Sequence, residues 1–435
     1  MIQKLGVIIL IATFSAMPGF YAFAGSGEDF FSKSSGSTNE QYQRDVDEVA
    51  KASQDKAINK LHGLLKKYRG TRQEPILLFK MAELQQQNAA ILFRIAHANA
   101  NKKKAKTVDN HAYNKTMEAS IDTLNSLIGK YPSFEDLAQA YYIRAKAFEE
   151  LDKKEPARRD YLHLVKNHPE APEVPNAYMS LAEFAIEKGD HPLAITYLVQ
   201  VEKLPNDPHF PFALYKLAWA HYNLRDIPKA LSYAERQIAY YNDRFPTQKG
   251  QPVDFSPNGD LALRDNTLLD VTTFYLEGLE QKLNQYRTTE ALAYFKKLES
   301  GPMFGKMILK YAKLLRSHEH EKDLISWKDQ ILLSETERSE SLDVLMIAYE
   351  HQRNKRLYTS MIDSAKDMVK LYALHKTYEA FPKAQKLLLE SAEALQKAIV
   401  SHKEAEESFA MSKTLATLYD SFTRIVEEAD PRIPR

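Results

Sequence analysis

Phe212–Leu231, FALYKLAWAHYNLRDIPKAL, decides the fold of this chain. Leu214, Leu217, Ala218 and His221 fall on one stripe of a helix. Arg225-Asp226-Ile227-Pro228 then makes a turn, with proline at a position where a helix start tolerates it. Ala230 opens a second helix, twelve residues after Ala218. Two small residues at that spacing let antiparallel helices approach closely, because neither puts bulk at the crossing.

The same step occurs twice upstream. Ala182 is followed by Ala194 across Glu187–Asp190, and Ala145 by Ala157 across Leu151–Lys154. Large residues recur around these pairs: Tyr141, Phe148, Tyr161 and Leu164 in one unit, Tyr178, Leu181, Leu198 and Val201 in the next. The offset between units is 37 residues, then 36. A fixed period near 34 with alternating aromatic and small positions is the mark of tetratricopeptide repeats, helical hairpins stacked into a solenoid. The expected fold is therefore all-α, a right-handed superhelical solenoid of some eight helix pairs.

The rest of the chain divides around this block. Met1–Ala24 reads as a secretory signal peptide: Lys4 precedes an apolar stretch, and Ala22-Phe23-Ala24 fits a small-x-small cleavage site. Its apolar run, broken by Pro18-Gly19, is shorter than the ~20 residues a membrane span needs. Residues 25–41 are rich in serine and glycine and read as a disordered linker. Residues 42–132 form N-terminal helical repeats, with Glu74–Ala100 a long first helix and Thr116–Tyr131 its partner. Residues 133–243 carry the three clear repeats. Residues 244–259 form a loop with Pro246, Gly250, Pro252, Pro257 and Gly259. Residues 260–435 resume as degenerate repeats, in which Ala312 and Leu324, then Ala348 and Ser360, keep the twelve-residue step.

Composition narrows the function. The chain has 59 Lys+Arg against 58 Asp+Glu, so it lacks the basic footprint of a nucleic-acid or anionic-membrane binder. Cysteine is absent, which removes disulfides, thiolate metal sites and a cysteine nucleophile. There is no Gly-x-Ser-x-Gly, no phosphate-cradling glycine loop and no His-Glu-x-x-His, so no catalytic residue, cofactor or metal is assigned. His318-Glu319-His320 is the best metal candidate, but it reads as an exposed polar turn.

Segments Leu77–Leu84, Val174–Glu183 and Phe212–Leu224 resemble bacterial envelope tetratricopeptide proteins, of the kind found in delta-proteobacterial and Bdellovibrio-like predators and gliders. Some of that group serve gliding-motility or outer-membrane machinery. The repeats are also similar to those of the outer-membrane assembly lipoprotein of the barrel-insertion complex, although this chain has no cysteine to carry the lipid. The resemblance implies a periplasmic scaffold with protein partners in the envelope, peripherally associated with outer membrane or peptidoglycan. It also implies that the first helix of each pair lines a concave groove. The groove residues would be Tyr142 and Lys146, then Asn176, Met179 and Glu183, then Phe212, Tyr215, Trp219 and Tyr222. Aromatic clusters of this kind anchor extended peptides or partner helices; the same spacing also suits packing of Tyr215 and Trp219 against the next helix. Lys146 and Arg225 are candidates to hold a partner carboxylate. A peptidoglycan-binding spacer and a cell-wall enzyme with an unrecognised site are the rival functions.

Overall fold

The structure, a computed structural model, describes residues 36–103, 107–245, 260–375, 379–401 and 405–429. The signal peptide 1–24, most of the linker 25–41 and nearly all of the loop 244–259 lie outside the described residues. Among the described residues there are seventeen α-helices and no strand. The chain divides into two compact units at Lys153/Lys154, inside the three-repeat block 133–243.

The first unit holds α1 (Gly36–Lys67), α2 (Glu74–Lys103), α3 (His111–Lys130) and α4 (Leu137–Glu150). Each packs on the next. Leu78 and Ala82 of α2 meet Leu124 and Leu127 of α3 and Ala140 of α4. The Ser120 hydroxyl donates to the Ala82 carbonyl at 3.0 Å, which draws α3 close to the α2 backbone. The Arg94 guanidinium grips Asp47 with Nη2 at 2.7 Å and Nε at 3.1 Å, tying α2 to α1. The long first helix is present as expected, whereas α1 starts at Gly36, inside the expected linker. Its polar first turns carry no apolar period to read.

The second unit holds α5 (Lys154–Asn167), α6 (Val174–Glu187), α7 (His191–Glu202), α8 (Phe210–Asn223), α9 (Ile227–Arg244), α10 (Asp260–Glu280), α11 (Thr288–Leu298), α12 (Pro302–Ser317), α13 (Glu321–Ser334), α14 (Glu340–Asn354), α15 (Tyr358–Leu374), α16 (Phe381–Ser401) and α17 (Ala405–Ala429). Ala182, Ala194, Ala218 and Ala230 are all buried, as close helix crossings require. From α10 onward first helices also pack on first helices, α10 on α12 and α12 on α14. One apolar core runs through α8–α14, and Trp327 is its largest fully buried side chain. Its indole N–H donates to the Ile308 carbonyl at 3.1 Å, so the ring is buried without losing a hydrogen bond.

The hairpins share one turn. Asp152, Gly189, Arg225, Lys282, Glu319 and Arg356 all have positive φ, between 55° and 74°. The next residue donates its N–H five positions back: Asp190 to Ala185, Asp226 to His221, His320 to Leu315 and Leu357 to Gln352, each at 2.9 Å. This left-handed cap satisfies the last carbonyls of the first helix. Only one of the six is glycine, so five carry the steric penalty of a side chain there. Asp190 and Asp226 then cap the second helix, accepting from the Leu193 and Lys229 N–H groups at 3.0 and 3.4 Å. Ion pairs join neighbouring repeats at the same period: Lys154–Glu187 and Lys188–Glu155 lie 33 residues apart, Arg316–Glu350 34.

Candidate partner-binding face

On α8, Leu214, Leu217, Ala218 and His221 point into the core, as their spacing dictates. This leaves Phe212, Tyr215, Trp219 and Tyr222 on the other side. Only Phe212 is exposed, at 41%. Tyr215, Trp219 and Tyr222 are half-buried against α10. The Trp219 ring meets Phe274 edge-on at 5.1 Å, and Tyr222 lies 4.9 Å from the same ring. The polar ends of Tyr215 and Trp219 converge on one atom: the Tyr215 hydroxyl and the Trp219 indole N–H each donate to Asp270 Oδ2 at 3.1 Å. Lys310 of α12 approaches Asp270 Oδ1 at 3.5 Å and donates to the Leu269 carbonyl at 2.7 Å.

Three first helices are therefore joined by one half-buried carboxylate. Burial pushes the Asp270 carboxyl above its ordinary value, against the pull of Lys310, Tyr215 and Trp219. Burial likewise lowers the Lys310 ammonium, with Asp270 opposing it. The Tyr215 hydroxyl is pushed up by burial and then by the Asp270 charge. In both members of the ion pair desolvation is the largest effect, so the pair fixes geometry more than it adds stability.

The remaining expected groove residues separate. Met179 is buried with Ala182, Leu198, Val201, Ala213 and Leu217, and packs the core instead of lining a groove. Its long, flexible thioether fills the gap between α6, α7 and α8. Asn176 is half-buried. Glu183 pairs with Lys216 at 3.1 Å, linking α6 to α8. In the first unit, Tyr142 is half-buried, and Lys146 pairs with Glu149 at 3.1 Å. Burial pulls the Lys146 ammonium down, but Glu149, with Tyr142 and Glu150, outweighs it and holds the group above its ordinary value. Arg225 pairs with Glu277 at 2.8 Å. Both cations expected to meet a partner carboxylate are thus engaged within the chain.

The open part of the face lies further along, on helices whose repeat signature is weak. A cleft of about 340 Å³ is floored by Leu309, Met346 and Ile347 and edged by Lys313, Arg316, Asp343, Glu350 and Lys383, from α12, α14 and α16. Arg316 and Glu350 bridge its wall at 2.6 Å. Burial raises the Asp343 carboxyl, with Lys383 the main opposing charge. Cations of α12 thus stand between acids of α10 and α14. The repeat signature does not mark this face. Its signal was a single charge inside an apolar helix run, as in Leu268-Leu269-Asp270-Val271 and Ile308-Leu309-Lys310-Tyr311.

His318-Glu319-His320 is the turn between α12 and α13, with Glu319 in the left-handed conformation. His318 Nδ1 and His320 Nε2 both approach Glu280 Oε1, at 2.8 and 3.2 Å. No group of three His, Cys, Asp or Glu among the described residues has the geometry to hold a metal ion. Nor is any helix among them long and apolar enough to cross a membrane.

The tetratricopeptide repeat family matches residues 139–171 and 212–241. Both stretches are tetratricopeptide repeats. No curated protein matches the chain. Among solved structures, BtubC from P. vanneervenii is 16% identical, with 58% of this chain and 90% of that chain covered and a TM-score of 0.38. The C-terminal part of a TPR repeat-containing protein from Cytophaga hutchinsonii is 12% identical, covering 79% and 96%, with a TM-score of 0.34. Yeast Tom70 is 16% identical, covering 77% and 67%, with a TM-score of 0.28. The described residues are all-α, and these two stretches are of the tetratricopeptide repeat family, whose stacked hairpins present extended surfaces to protein partners.

Proposed function

We propose that this protein is a non-enzymatic scaffold that holds a segment of a partner protein in the α12–α14–α16 cleft. The observation that carries the reading is the make-up of that cleft: an apolar floor of Leu309, Met346 and Ile347 inside a rim bearing both charges. An apolar side chain of the partner would seat on the floor, while Lys313 and Lys383 at the exposed rim select acidic flanks. The Asp270 network sets the neighbouring first helices in place before a partner arrives, which lowers the ordering cost of docking. Phe212, exposed on α8, is a further apolar contact on the same unit.

The signal-peptide reading of Met1–Ala24 and the resemblance to envelope proteins support a periplasmic location, in an assembly or motility machine of the cell envelope. Charge reversal tests the cleft: Lys313→Glu with Lys383→Glu lowers co-purification of the native partner from periplasmic extract at least tenfold, while Leu333→Asp, at an 86% exposed position on α13, leaves it unchanged. Equal capture by both variants refutes the assignment. The location is tested by N-terminal sequencing of the protein from fractionated cells, which finds Gly25 first.

A further inference from the structure

A second cavity, of about 460 Å³, lies between the second helices α9 and α11 and the end of α10. Its walls carry three tyrosines, Tyr275, Tyr286 and Tyr294, and two carboxylates, Glu235 and Glu290, and no lysine or arginine lines it. The Tyr275 ring lies 5.2 Å from that of Tyr286 and 5.3 Å from that of Tyr294. Two hydroxyls are tied down: Tyr294 donates to Glu235 Oε1 at 2.7 Å, and Tyr275 donates to the Arg287 carbonyl at 3.0 Å. Neither Glu235 nor Glu290 has an ion-pair partner among the described residues. The negative field shows in the rings themselves: burial raises the Tyr275 and Tyr294 hydroxyls, and Glu290 and Glu235 raise them further.

Helix α10 gives up a side chain to build this wall. A Cβ on Gly278 would run into the Tyr286 ring. Glycine in a helix interior costs about 1 kcal/mol relative to alanine, and here its bare backbone seats the ring beside Tyr275. Aromatic faces and carboxylates without a cationic partner attract positive charge by the same electrostatics, and neither attracts an anion.

We infer that this cavity is a binding site for an organic cation, a guanidinium or alkylammonium group, reaching it as a basic side chain of a protein partner or as a free amine. It is separate from the α12–α14–α16 cleft, and either assignment stands if the other fails.

The test is calorimetric titration of the full chain with N-acetyl-arginine amide, its neutral isostere N-acetyl-citrulline amide, and spermidine. The arginine compound binds at least tenfold more tightly than the citrulline compound. Glu290→Gln, at an exposed position, and Glu235→Gln, which keeps the oxygen that Tyr294 bonds, each weaken it at least tenfold with an unchanged circular dichroism spectrum. Gly278→Ala weakens it by displacing Tyr286. Tighter binding of spermidine than of the capped arginine identifies a free amine as the ligand; the reverse order identifies a side chain. Equal affinity for the arginine and citrulline compounds, no binding of any cation at millimolar concentration, or unchanged affinity in both glutamine variants overturns the proposal.

Discussion

Helices α5–α9 and helices α10–α15 solve the same packing problem with different residues. In the first stretch the contacts between helices are mainly apolar, as at Ala182, Ala194, Leu198, Leu217, Ala218 and Ala230, with Asp160 a buried carboxylate on α5. In the second, several charges enter the interior as ion-paired groups. Arg264 is buried between Glu299 and Asn242, Lys328 between Asp329 and Asp367, and Glu335 between Lys296 and Arg338. Asp270 and Lys310 add a half-buried pair on the first-helix face. The regular stretch is held mainly by close contact, which is insensitive to small differences in register between hairpins. The irregular stretch holds each helix to particular partners, at the cost of desolvating charge. The open cleft draws α12 and α14, two of its three helices, from the second stretch, so the helices that depart from the repeat pattern are the ones that shape a surface.

The comparison predicts that the two stretches break by different routes. Arg264→Ala strands the Glu299 carboxylate in the interior and lowers stability by about 3–5 kcal/mol, read as a fall in the urea midpoint. A loss near 0.5 kcal/mol would mean that Glu299 reaches water. Leu217→Ala, in the regular stretch, costs about 2–4 kcal/mol through the cavity it leaves, and the loss is independent of salt.

Removing Asp270 and Lys310 separately and together gives the next largest effect. Asp270→Asn and Lys310→Met each cost about 1–3 kcal/mol, while the double variant costs less than their sum by at least about 1 kcal/mol. Strict additivity would show that the pair does not couple α10 to α12.

Each stretch also carries a buried histidine whose imidazole burial holds below its ordinary value, His221 in the first and His351 in the second. A depressed value means the folded state prefers the neutral ring. Its contribution is intact above the unfolded value near 6.5 and is lost as pH falls through the folded value. The melting temperature therefore drops as pH falls below about 6.5, and His221→Gln with His351→Gln flattens that slope. At the alkaline end, burial pushes the Tyr349 hydroxyl up to about 12, so the neutral phenol's contribution persists to about pH 10 and is lost as pH rises through that value.

The smallest effect is a gain. Arg356 occupies the turn conformation that Gly189 occupies four hairpins earlier in the chain, and Arg356→Gly stabilises by up to about 1 kcal/mol. No gain would mean the arginine side chain has a compensating contact.

The hairpin fold was legible because close crossings demand small residues at one spacing, and Ala182/Ala194 and Ala218/Ala230 show it without structure. The binding face was only partly legible. Tyr215 and Trp219 lie on the side of α8 away from its core stripe, but nothing in their own repeat shows that α10 covers them. Their partner lies outside the period: Trp219 and Asp270 are 51 residues apart, because the 246–259 segment intervenes. Met179 misled because helical spacing alone does not separate a groove position from the adjoining core position on a short helix. The cleft residues Leu309, Met346 and Ile347 read as ordinary core apolars, and only the placement of three helices makes them a floor.

Site-specific photo-crosslinking in the living source cell tests the central claim most directly. With a photoreactive amino acid at Lys313 on the cleft rim, irradiation yields one discrete adduct with a partner protein, and the same residue at Leu333 on α13 yields none. An adduct from Leu333 with none from Lys313 would contradict the cleft as the place where this scaffold holds its partner.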